Sequence, residues 1–123
     1  RTGRAFALRS LLDAGARLVL GSDAPVAPLD PWQAIAAATS RTRDARPAFH
    51  PEQAITIAEA LAASTRTLVG LGEPADLIAL DVDPLAADGD ALRRMPVALT
   101  LLGGRVTHHD PALSAGVPEV VGV

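Results

Sequence analysis

Apolar residues fall along this chain in short blocks separated by turn residues, and the blocks predict the elements. Residues 6–12 read as the end of a helix, which Gly15 stops. Ala16-Arg17-Leu18-Val19-Leu20 is a short apolar run and reads as a buried strand. Gly21-Ser22-Asp23 interrupts it, and Pro25 and Pro28 forbid regular structure soon after. Asp30 is a good N-cap, and Pro31 suits a first helical position, where its missing donor is not needed. That predicts an Ala-rich helix over residues 31–41, with Trp32 and Ile35 as its larger apolar groups. Pro47 and Pro51 mark a loop. Thr56 and Glu59 form a capping-box pair that opens a helix over residues 57–69, ended by Gly70 and Gly72.

Farther along, Leu77–Leu80 is continuously apolar, as in a strand covered on both faces. Asp83-Pro84 starts a turn, and residues 86–94 predict a short helix interrupted near Asp88-Gly89. Residues 97–102 and 105–108 flank Gly103-Gly104, whose tolerance of positive φ suits a two-residue hairpin turn. The tail after Pro111, rich in Val, Gly and Pro, fits an edge strand or a loose end. No internal repeat or low-complexity segment interrupts this order.

Asp23 is the candidate for chemistry. An acid at the carboxyl end of a buried strand, just before a loop and a helix, sits where α/β barrels keep their reactive groups. There a carboxylate can bind a metal or take a proton, or it can simply cap the turn.

Composition narrows the classes. The chain has 123 residues, room for one modest core, whereas a complete eight-stranded barrel takes about twice that. Apolar residues make up 49%, which is globular, but aromatics only 2%, so Ala, Leu and Val must fill the core. A net charge of −3 leaves no basic footprint for nucleic acid. All 11 basic residues are Arg, so no carboxylated Lys can bridge metals, and the absence of Cys excludes disulfides and thiolate ligands. No stretch is long and apolar enough to span a membrane, and no signal peptide is visible. A cytoplasmic location is the expectation.

The residues around Asp23 carry a resemblance. The segment Leu11-Leu12-Asp13-Ala14-Gly15, the run from Ala16 through Gly21-Ser22-Asp23-Ala24-Pro25-Val26, and Leu29-Asp30-Pro31-Trp32 resemble the last barrel strand of the amidohydrolase superfamily. The likeness is greatest to its third type, metal-dependent hydrolases of N-substituted amides and related bonds. It continues through Glu59-Ala60-Leu61, Ser64-Thr65, Ala75-Asp76-Leu77-Ile78-Ala79-Leu80-Asp81, and Thr100 with Gly103-Gly104-Arg105-Val106.

The resemblance implies an α/β fold: the C-terminal part of a (β/α)8 barrel plus part of a small flanking β-sandwich. Residues 1–69 would hold the last strand and C-terminal helices, and residues 70–123 part of the sandwich. It implies a hydrolase of carbon–nitrogen bonds other than peptide bonds, acting on a small amide-type substrate. One or two divalent ions, most often zinc, would activate water, with Asp23 as metal ligand and proton acceptor.

The family's other ligands, a His-x-His pair on the first barrel strand, a bridging ligand and two later histidines, have no match here. The three histidines, His50, His108 and His109, all follow Asp23. With no initial Met, the expectation is a C-terminal fragment whose partner is the remainder of the barrel. Alone it would be inactive, and would aggregate or pair with another copy. The contrasting expectation is a non-catalytic α/β module that binds a partner through exposed sheet edges. Where the family carries a longer Gly-containing hairpin, this chain has only Leu71-Gly72-Glu73-Pro74.

Other polar residues read as structural. His108 and His109 are strand neighbours and point to opposite faces, so solvation is expected. His50 lies in a loop without a partner nearby in sequence. Asp81, Asp83, Asp88 and Asp90 do not meet the calcium-loop pattern, since Leu85 stands at its fifth position and the closing Glu is absent. Ser22 is expected to support the turn. Arg41 and Arg43 complement a helix dipole, with substrate binding as the other reading for Arg41.

Overall fold

The structure, a computed structural model, describes residues 5–113. Two compact units arise. One takes the chain up to Arg66 together with Pro84–Arg94, and the other Thr67–Asp83 with the chain from Met95 on.

The first unit is helical. Helix α1 (Leu8–Asp13) closes with a Schellman motif: the Gly15 amide donates to the Leu12 carbonyl (2.8 Å) and the Ala16 amide to that of Leu11 (2.9 Å). Gly15 adopts φ +81°, which glycine reaches without strain. Helix α2 (Pro31–Ser40) starts as its sequence predicts, with the Asp30 carboxylate accepting the Trp32 amide at 3.0 Å. Its buried face is Trp32, Ile35, Ala36 and Ala38. The small residues let α3 (Ile57–Ala62) and α4 (Gly89–Arg93) pack closely on it.

The capping box of α3 forms in full. The Glu59 amide donates to the Thr56 hydroxyl (3.2 Å), and the Thr56 amide donates to the Glu59 carboxylate (2.7 Å). The helix stops at Ala62, short of the Val69 expected from the sequence. The Ser64 hydroxyl caps the Ala60 carbonyl (2.8 Å), and the Ser64 amide tightens onto Leu61 (2.9 Å). Leu68 and Val69 are exposed, so no burial favours further turns.

Arg9 of α1 reaches the same Glu59 carboxylate, 50 residues away in sequence. That ion pair, with the two Thr56 bonds, lowers the Glu59 pKa from 4.5 to about 2. Stability from this carboxylate is thus fully present above about pH 4.5 and fades as pH falls toward 2. Glu59→Gln should lower the urea midpoint near neutrality and flatten its acid limb across that window. Parallel pH profiles for parent and variant would show that Glu59 titrates alike folded and unfolded.

Helix α4 is N-capped by Asp88, whose carboxylate accepts the Ala91 amide at 2.7 Å, and it buries Leu92. Gly89 opens the helix against Ser40, and a Cβ at Gly89 would stand 2.9 Å from the Ser40 Cβ. Alanine ordinarily favours a helix over glycine by roughly 0.5–1 kcal/mol, whereas forced overpacking costs about 1–3 kcal/mol. Gly89→Ala should therefore destabilise, by roughly 1 kcal/mol in chemical denaturation. A stabilised variant would mean that Ser40 yields freely.

Residues 16–20 do not form the predicted strand. Among the described residues no strand pairs with them; the Leu20 amide donates instead to the Ala63 carbonyl (2.9 Å), and Val19 is exposed. Strand geometry needs ladder partners, and an apolar run alone does not supply them.

The second unit is a three-stranded antiparallel sheet in the order β1 (Leu77–Leu80), β2 (Val97–Leu102), β3 (Arg105–His109). Gly103 and Gly104, at φ +57° and +78°, make the two-residue turn, because a type I′ hairpin needs positive φ at both positions. The Asp76 carboxylate holds the Gly103 amide (2.8 Å). Strand β1 is at an edge, and Ile78 is exposed, so it is not covered on both faces as expected. The sheet's antiparallel order is small and local, and the tail from residue 114 lies outside the described residues.

Candidate active site

Asp23 lies in a turn between residue 20 and α2. Its φ of +54° is left-handed, a region that Asp tolerates better than most residues. The turn closes through backbone: the Val26 amide donates to the Asp23 carbonyl at 2.9 Å. Side-chain support comes from the residue before, with the Ala24 amide donating to the Ser22 hydroxyl at 3.3 Å. Asp30 takes the helix cap. The Asp23 carboxylate is exposed and, among the described residues, engaged by neither the turn nor the cap. It does not stand at the end of a formed strand, because residues 16–20 lack ladder partners.

Among the described residues no three His, Asp or Glu side chains gather as a metal site. Asp23 offers one carboxylate, where a tetrahedral centre takes three or four protein ligands. The described residues therefore do not by themselves fit a divalent ion. His50 sits with its Nδ1 2.8 Å from Glu52 and its ring edge-on to Phe49. His108 contacts the Val97 carbonyl through Nε2 at 3.0 Å and belongs to the other unit. Asp88 is used as a helix cap.

The residue that sequence reasoning underrated is Arg41. It caps α2 in a left-handed conformation, φ +56°, and is only 9% exposed. Its carbonyl accepts the Phe49 amide (2.7 Å), and its Nε donates to the Phe49 carbonyl (3.0 Å), folding the intervening loop back on the helix. The guanidinium lies 6.0 Å from the Phe49 ring centre, within cation–π range. Its Nη2 is buried without a hydrogen-bond partner. An unmet buried donor costs about 1–3 kcal/mol, more on a charged group, so this one stands out. A run of Arg after a helix was the visible signal; its burial depends on Phe49, eight positions on.

Arg41 lines a cavity of about 630 Å³ in the first unit, bordered also by Leu20, Gly21 and Phe49. No helix among the described residues is long and apolar enough to cross a membrane.

Comparison with known proteins assigns this arrangement to a class. Residues 1–108 match the amidohydrolase family, and the chain belongs to that family. It is similar to an N-substituted formamide deformylase of Arthrobacter pascens, 32% identical over 111 residues, covering 80% of this chain and 20% of that protein. It is also similar to YtcJ of Bacillus subtilis (strain 168), described as an amidohydrolase, at 27% identity over 123 residues, 88% of this chain and 23% of that protein. The chain thus spans about a fifth of the length of the curated relatives it matches. No solved structure matches it.

Proposed function

We propose that the chain is the Asp23-bearing part of a longer hydrolase that cleaves carbon–nitrogen bonds of N-substituted amides. The observation that carries the proposal is the Asp23 carboxylate itself, inside the family-matched span and used neither by its turn nor by the following cap. The named activity of the Arthrobacter relative, on N-substituted formamides, supports an amide substrate with a substituted nitrogen.

In this reading Asp23 is the general base. It takes a proton from water as the water oxygen bonds to the amide carbon, and the proton passes to the nitrogen as the carbon–nitrogen bond breaks. The products are a carboxylic acid and an amine. Members of the family are generally metal-dependent, and the proposal includes a divalent ion, zinc, with Asp23 as one ligand. Its other ligands would come from the remainder of the barrel, as would the substrate's specificity contacts.

The test uses the full-length enzyme and a panel of N-substituted amides, followed by amine release. Turnover should vanish on chelation and return with zinc. Metal-loaded enzyme that releases no amine from any member, or metal-stripped enzyme that keeps full turnover, would contradict the proposal.

A further inference from the structure

We draw no further inference here: the strongest candidate, the largely apolar cavity of the first unit beside α2, bordered by Leu20, Val26, Ala34, Ala37 and Phe49, is an unpartnered face, and nothing in the structure shows what covers it.

Discussion

Purified by itself, the 123-residue chain should neither hydrolyse amides nor hold zinc at stoichiometric level, and it should self-associate. Residues 16–20 find no ladder partner among the described residues; only the Ala16 and Leu20 amides are taken, by the Leu11 and Ala63 carbonyls, so the segment offers a strand edge to another chain. In the same unit Val19, Val26 and Leu29 are 80%, 84% and 85% exposed, far above what a settled core surface needs. For metal, Asp23 supplies one carboxylate where a tight site needs several ligands. The check is mass in solution by light scattering, zinc content after dialysis, and turnover on N-substituted amides. A monomer with bound zinc and turnover would show that the chain is sufficient in itself.

What could be read from sequence follows the range of the interactions involved. The capping box at Thr56 and Glu59, the Asp30-Pro31 helix start and the Gly103-Gly104 hairpin are settled within four residues, and each forms as its residues imply. Strands β1 and β2 coincide with their apolar runs. Failures come where a distant partner decides. Residues 16–20 have a strand's composition but no ladder. Helix α3 stops early because Ser64 takes over a carbonyl and nothing covers Leu68 and Val69. The Arg9–Glu59 pair spans 50 residues, and the burial of Arg41 depends on a loop closing over it. Asp23 was legible as a position, since an acid between an apolar run and a capped helix needs no long-range contact to be noticed. Its exposure and left-handed backbone were not.

Asp23→Asn in the full-length enzyme should lower turnover at least about a hundredfold, the scale for losing a positioned base. Asn keeps the size of Asp and a carbonyl oxygen that can still ligate, and like Asp it tolerates the left-handed backbone at φ +54°. The Asp23 carboxylate supports neither the turn nor the cap, so folding should be unaffected; thermal midpoints of parent and variant should agree within a few degrees. The decisive measurement is kcat for an N-substituted amide with parent and Asp23→Asn enzymes brought to equal zinc content. A folded, metal-loaded variant with kcat about a hundredfold or more below the parent is the result expected of a base at Asp23. Near-parental kcat in that variant would contradict the account and move the base elsewhere in the enzyme.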